Sequence, residues 1–474
     1  MRALRRLRFF ATGAAALLWR ASVWVRATLA PKAPVVRDRH LLIVCWDFPP
    51  IEATGAHLPT SLARYACLAG WKVSVVCGPS PATESVSGRA LFASLPPGVA
   101  IHRVSRILAT PHGARLCAPA WTPSIDGGYL TSLAMVNTAL RSVDQAPTVI
   151  LAEGPRFSNF HAARRLASVF QAKLALRYQD EWTVRTPSFV QNTGDDRTEE
   201  ERCLTSADLV IFVSEGKQRA YRNAFPAIDT HKQMVIPCGW ECYFQQTAET
   251  AVLPVASGMF TLTFTGRWHT SMAPFLRTLD TVLCRHPDIR KKFRLVMVGN
   301  QTSSNSMSLA DFAATHAGAL VMLPAQAPAT VVAIQRASSA LLLLNDFDYD
   351  GVVPLKTFEY IRSPRPILAL GNTGGGADIV RSVGAGLISP IDDAAALAEA
   401  INTLVGAPAA RWQTAQREAW AAAHDRQLLT LRLLDVLEGL GQRTASQNAR
   451  IARADIPIIV NPVIANDVPQ SPAA

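Results

Sequence analysis

From residue 40 onward the chain alternates short apolar runs with amphipathic stretches, and this rhythm limits the fold more than any other feature. Seven runs come first, at residues 41–46, 72–77, 99–104, 148–152, 173–178, 209–213 and 233–237, and each reads as a strand. Stretches with helical periodicity lie between them, as at 58–69 and from about residue 129. Strand, helix and strand in succession imply a parallel sheet covered on both faces. The rhythm breaks across 239–258, which is polar and rich in small residues. It restarts with six runs at 260–266, 293–299, 320–323, 340–344, 366–370 and 385–388. A restart after a linker predicts two doubly wound domains, at 39–240 and 259–408, rather than one large sheet. Residues 392–405 and 409–440 read as helices, the second one long. Residues 445–474 are rich in Pro, Asn and Ala, lack a 3.6-residue period and read as a disordered tail.

Composition removes several classes. The 474 residues are 49% hydrophobic and 18% charged, enough apolar material for real cores, which excludes wholesale disorder. No run of 18 apolar residues occurs, which excludes an ordinary multi-span membrane protein. The net charge of +11 is uneven: residues 1–40 carry nine Arg and Lys against Asp38, a net +8, leaving +3 for the rest. A nucleic-acid-binding body would need basic residues on its folded surface, so no nucleic-acid partner is expected. Most of the eight cysteines sit singly in apolar runs, and only Cys238 and Cys242 are close, so buried thiols in a reducing cytosol are expected.

Residues 1–38 form a basic arm in which arginines precede an apolar stretch from Phe9 to Trp19, interrupted by Arg20. Eleven residues are too few to span a bilayer as a helix. An interfacial helix over residues 1–30 fits, with Phe9, Phe10, Trp19 and Trp24 in the acyl boundary and arginines on anionic headgroups. A signal peptide and an extension from a mis-called start are the alternatives.

Ligands of open parallel sheets bind beyond the C-terminal ends of strands, so the residues following each strand are the candidates. After the first strand, an Asp-Phe-Pro-Pro loop leads to Gly55, which opens a helix whose free N–H groups suit an anion or sugar hydroxyls. After 173–178 come Asp180, Glu181 and Trp182, acids and an indole that suit a sugar; the alternative is a solvated turn with Trp182 in the core. After 260–265 comes Arg267, a bidentate fork for phosphate. After 340–344, Pro354 starts a helix carrying Lys356 in its first turn and Glu359 on the same face. A lysine there is electrostatically misplaced unless an anion sits between it and the helix N-terminus. A bound diphosphate removes the conflict, and Glu359 can then accept from both ribose hydroxyls. After 366–370, Gly374, Gly375 and Gly376 precede a helix and let backbone N–H groups approach phosphate.

Taken in order, FPP…TG, LAGWKVSVVCG, RYQDEW, SADLVIFVSEG, MVIPCGWE, FTFTGRW, VPLKTFEYIRSPRPILALG and GGGADIV resemble GT-B glycosyltransferases of the family 4 type over residues 41–440. The resemblance implies two Rossmann-like domains, the first for acceptor and the second for a nucleotide-diphosphate sugar, with a crossover helix at 409–441 returning to the first domain. It implies that Gly55 lies near donor phosphate and acceptor, that Asp180 is a polar catalytic group and that Arg267 contacts the diphosphate. It further implies that Glu359 is the ribose ligand and that Gly375 and Gly376 face phosphate. Two positions depart from the pattern: Gly351 stands where a first glutamate is usual, and Met272 and Ala273 stand where a lysine is usual. Lys356 is positioned to supply that missing cation.

The expectation is therefore a retaining glycosyltransferase at the inner face of the cytoplasmic membrane, with a lipid-linked or polysaccharide acceptor. No cofactor and no metal are expected; Asp346-x-Asp348-x-Asp350 reads as an acidic loop. A non-catalytic partner in polysaccharide assembly and a nucleotide-sugar 2-epimerase are the alternatives. A dehydrogenase would need a G-x-G-x-x-G after the first strand, which is absent.

Overall fold

The computed structural model describes Val25 and residues 39–105, 129–184, 195–267, 273–299, 303–344, 353–371 and 374–440. The rest of the arm, Met272, the Asp346–Asp350 loop, Gly351 and the tail lie outside the described residues.

Strands form wherever the apolar runs stand. The first sheet holds β1 (His40–Val44), β2 (Lys72–Cys77), β3 (Val99–Arg103), β4 (Val149–Gly154), β5 (Lys173–Tyr178), β6 (Leu209–Phe212) and β7 (Gln233–Val235). The second holds β8 (Phe260–Thr265), β9 (Phe293–Val298), β10 (Leu320–Leu323), β11 (Ala340–Leu344), β12 (Ile367–Leu370) and β13 (Gly386–Ser389). Their orders are β3-β2-β1-β4-β5-β6-β7 and β10-β9-β8-β11-β12-β13, and every pairing is parallel. Strand order reverses at β1/β4 in one sheet and at β8/β11 in the other, the switch points of two doubly wound domains.

The strands are apolar throughout because both faces are covered. Leu42 and Val44 enter one core of the first sheet and Leu41 and Ile43 the other, as a period of two requires. Leu342 and Leu344 part from Leu341 and Leu343 in the same way. The linker contains a short helix, Cys242–Gln246.

The expected single helix over 409–440 is instead a 3-10 turn (Ala409–Trp412) and two helices, Ala415–Ala423 and Arg426–Gly439. The break is held by the linker: Trp240 N–H donates to His424 O and Arg426 N–H to Trp240 O, each at 3.0 Å. Asp425 then caps the last helix by accepting from Gln427 N–H. Ala421 packs in the second domain, whereas Leu429, Leu433, Leu434 and Leu437 close the first domain's core with Leu41 and Ile43. The two helices on either side of the break thereby tie the two domains together.

Among the described residues Cys45, Cys77, Cys203 and Cys242 are buried thiols, Cys67 and Cys238 are half-buried, and Cys284 is exposed, against that expectation. Among the described residues no helix is long and apolar enough to cross a membrane.

Candidate active site

A cleft of 460 Å³ opens between the C-terminal edges of the two sheets. The first domain lines it with Glu52, Thr54 and His57; the second contributes Gly266, Arg267, Gly299, Gln335, Lys356 and Glu359. Three of the sequence candidates, Arg267, Lys356 and Glu359, thus meet at the β8/β11 switch point.

Local geometry explains the meeting. β8 is followed by Gly266, whose N–H donates to Val298 O at 2.7 Å. Gly266 and Gly299 both have positive φ, at 119° and 139°. A Cβ on Gly299 would lie 2.4 Å from Gly266 O, so only two glycines allow these turns to touch. The close turns bring Arg267 into the cleft mouth.

The helix Leu355–Arg362 starts without a side-chain cap at Pro354, so its first N–H groups are available to a ligand. Its position is fixed at both ends. The Tyr360 hydroxyl accepts from Thr265 N–H at 3.0 Å, pinning the helix to the end of β8. At the other end the buried Arg417 guanidinium donates to Tyr360 O and Ile361 O, each at 2.9 Å. This satisfies the C-terminal carbonyls.

On this helix Lys356 Nζ lies 5.1 Å from the centre of the Phe264 ring. Burial pushes its ammonium below the usual lysine range, with Glu359 opposing. Burial pushes the Glu359 carboxyl above its usual range, with Arg426 and Lys356 opposing. Each is a partly desolvated ion that a complementary ligand group would stabilise.

Gly55 belongs to the 3-10 turn Thr54–Ala56 that leads into helix His57–Leu68. A Cβ there would sit 3.2 Å from Asp47 Oδ2, so the glycine allows close packing of the loop, while its neighbours Thr54 and His57 face the cleft. Burial pushes the His57 imidazole down to about 4, with Arg426 adding to the effect, so the ring is neutral at pH 7.

Other candidates lie elsewhere. Asp180 does not line the cleft; its Oδ1 is 3.5 Å from Lys217 Nζ. Trp182 does not offer its face to a sugar: it is fully buried and stacks on Phe157 at 5.0 Å between ring centres. The apolar pocket between β4 and β5 claims the indole. Gly375 and Gly376 open the helix Gly375–Ser382 after Gly374, itself at φ 117°, but neither lines the cleft.

Three neighbours of these candidates escaped the sequence reading. The buried Gln335 donates to Thr265 Oγ1 at 3.3 Å, while its Oε1 has no protein partner in the cleft wall. Arg426 donates to Cys238 O at 2.8 Å and Gly239 O at 2.6 Å, and stands 3.7 Å from Glu241. Glu241 also accepts from Ser61 and Tyr65 and pairs with Arg64 at 3.0 Å. Burial alone would push the Glu241 carboxyl up, but Arg64 and Arg426 hold it below the usual range. No motif marks Gln335 or Arg426; only the fold brings Gln335 into the cleft wall and Arg426 close enough behind it to act on His57 and Glu359 through its charge.

No protein-family model and no curated protein matches the sequence. The fold does match solved structures. Sucrose-phosphate synthase from Thermosynechococcus elongatus superposes with a TM-score of 0.64 at 15% identity, covering 85% of this chain and 99% of that one. HepE of Anabaena, solved with UDP and glucose, gives 0.58 at 14% identity, covering 85% and 100%. The UDP-forming α,α-trehalose-phosphate synthase from Burkholderia xenovorans, in complex with glucose-6-phosphate, gives 0.61 at 13% identity, covering 84% and 100%. The chain thus has the two-domain GT-B fold of these glycosyltransferases over nearly their whole length.

Proposed function

We propose that the protein is a retaining glycosyltransferase of the family 4 type that transfers a sugar from a nucleotide diphosphate to a lipid-linked or polysaccharide acceptor. The observation that carries this reading is the convergence of Arg267, Lys356 and Glu359 on one cleft at the β8/β11 switch point. Glu359 accepts from the two ribose hydroxyls. Lys356 and Arg267 meet the diphosphate together with the uncapped N–H groups of helix Leu355–Arg362. As the glycosidic bond breaks, negative charge gathers on the leaving diphosphate, and these groups stabilise it without reorganising. The acceptor enters from the first domain, past Thr54 and the neutral His57. No step is routed through Asp180. The solved structures of similar fold, one holding UDP and one named UDP-forming, support UDP as the first nucleotide to try.

The arm, read as an interfacial helix, places the enzyme peripherally on the cytoplasmic face of an anionic membrane. The direct test of the donor site is calorimetric titration with UDP, GDP and ADP. One of them binds, and Glu359→Ala weakens it by about 1.5–3 kcal/mol, the value of hydrogen bonds to a charged group. Unchanged nucleotide affinity in that variant overturns the assignment.

A further inference from the structure

A second cluster of chemically active side chains lies far from the cleft. Asp280 and Cys284 stand one turn apart on helix Ala273–Arg285, and His316 directly follows helix Ser303–Thr315. Helices in βαβ units run back against their strands, so the C-terminal ends of these two lie at the sheet edge opposite Arg267 and Lys356. One ligand atom from each side chain, a carboxylate oxygen, a thiol sulfur and a ring nitrogen, lies within 4.8 Å of the other two. His316 Nε2 is 2.7 Å from Asp280 Oδ1. The imidazole is fully buried, the carboxylate is 45% exposed and the thiol is exposed.

We propose that Asp280, Cys284 and His316 bind one borderline-soft divalent cation, Zn²⁺ in the first instance, as a clip between two helices of the second domain. Thiolate, imidazole and carboxylate together are zinc donors, whereas Ca²⁺ and Mg²⁺ take oxygen almost alone. Spacing of i and i+4 puts the carboxylate and the thiol on one face of their helix. Tetrahedral bonds of roughly 2.0–2.3 Å place ligand atoms roughly 3.3–3.7 Å apart, within the spread already present. The ring is oriented in advance by burial and by Phe312, whose ring centre is 5.0 Å away. A solvent molecule completes the shell, because the carboxylate and thiol open outward. A salt link between Asp280 and His316 alone would require no thiol at the same point.

Binding converts the thiol to thiolate and releases its proton, so affinity rises with pH. The ion ties the helix after β8 to the helix after β9 and stabilises the folded chain by mass action. It takes no part in the cleft.

The test uses the full chain, freed of metal by a chelator. Co²⁺ titration gives a thiolate-to-cobalt absorption band that saturates at one equivalent. Zn²⁺ displaces it, raises Tm and blocks modification of the Cys284 thiol by a disulfide reagent. Cys284→Ser abolishes the band and lowers Zn²⁺ affinity at least tenfold. Asp280→Asn keeps the band with at least tenfold weaker binding. Both substitutions are at exposed or half-exposed positions, and circular dichroism checks that the fold is kept. Absence of a thiolate band in the parent protein, or equal Zn²⁺ affinity in the parent and Cys284→Ser, overturns the proposal.

Discussion

Lys356 lies across the backbone of Gly266: a methyl group added at Gly266 would sit 2.8 Å from both Cε and Nζ of the lysine. The contact sets the height of the ammonium above the end of β8. It also bears on one departure of the sequence from the glycosyltransferase pattern: the usual lysine shortly after the arginine is missing, and Lys356 of helix Leu355–Arg362 is laid over the turn that precedes Arg267.

Gly266→Ala should therefore act on the ligand more than on the fold. The substitution meets a positive φ of 119° as well as the lysine, and Lys356 must swing away. Nucleotide affinity should fall at least tenfold, about 1.4 kcal/mol, with a smaller fall in Tm. Calorimetry and a thermal melt on the same preparation separate the two effects. Full affinity in the variant would remove Lys356 from the diphosphate site.

Lys356 itself is a partly buried cation in the first turn of a helix, unfavourable on both counts when no anion is bound. Lys356→Met should raise Tm without nucleotide and abolish the stabilisation that nucleotide gives. The lysine's folded value is below its unfolded one, so without ligand its contribution to stability rises with pH between the two. Nucleotide affinity should follow a narrowed bell. Glu359, pushed up, ionises at higher pH than an ordinary carboxylate, and Lys356, pushed down, loses its charge below the ordinary lysine range. Limbs of the profile lying at the ordinary carboxylate and lysine values would contradict both assignments.

The parts of this fold that are local in the chain were legible. A parallel strand covered on both faces needs an unbroken apolar run, so all thirteen strands stand where such runs occur. That Arg267, Lys356 and Glu359 line one cleft was legible because each lies beyond the C-terminal end of a strand of the second sheet. What was not legible depends on partners distant in sequence. The break at His424–Asp425 exists because Trp240 pairs there, 184 residues away by the distance to His424, and local composition favours helix throughout. Trp182 reads as well for a sugar platform as for a core residue until Phe157 is seen stacked on it. Arg417 looks like a surface arginine on an Ala-rich helix. Its guanidinium instead donates to carbonyls at Tyr360, Ile361 and Trp412, which sequence cannot bring together.

The arm supports a prediction that needs no substrate. Its net charge of +7 over residues 1–38, with interleaved Phe and Trp, should hold the chain on anionic vesicles, and added salt should weaken the hold. Removing residues 1–38 should leave a folded protein with unchanged nucleotide affinity that no longer sediments with those vesicles. Equal sedimentation of the two proteins would sink the anchor reading.

Glu200 gives a stability prediction independent of function. Its carboxylate is buried, accepting from the Tyr221 hydroxyl at 2.7 Å and from Thr183 N–H at 3.1 Å. Burial pushes it from 4.5 up to about 7, with the Thr183 and Tyr221 hydrogen bonds opposing. The folded value is above the unfolded one, so the folded state keeps a proton that the unfolded chain releases. Stability from this group is fully present below about 4.5 and is lost as pH rises through about 7. The full loss is about 3 kcal/mol at 1.36 kcal/mol per pH unit. Glu200→Gln cannot titrate. Its altered hydrogen bonding shifts stability by an amount that does not depend on pH. Urea unfolding at acid and alkaline ends of this window should therefore show a steeper decline in the parent than in Glu200→Gln, by about 3 kcal/mol over the window. Parallel declines in the two proteins would place the Glu200 titration at its ordinary value and show the buried carboxyl to be fully compensated by its hydrogen-bond donors.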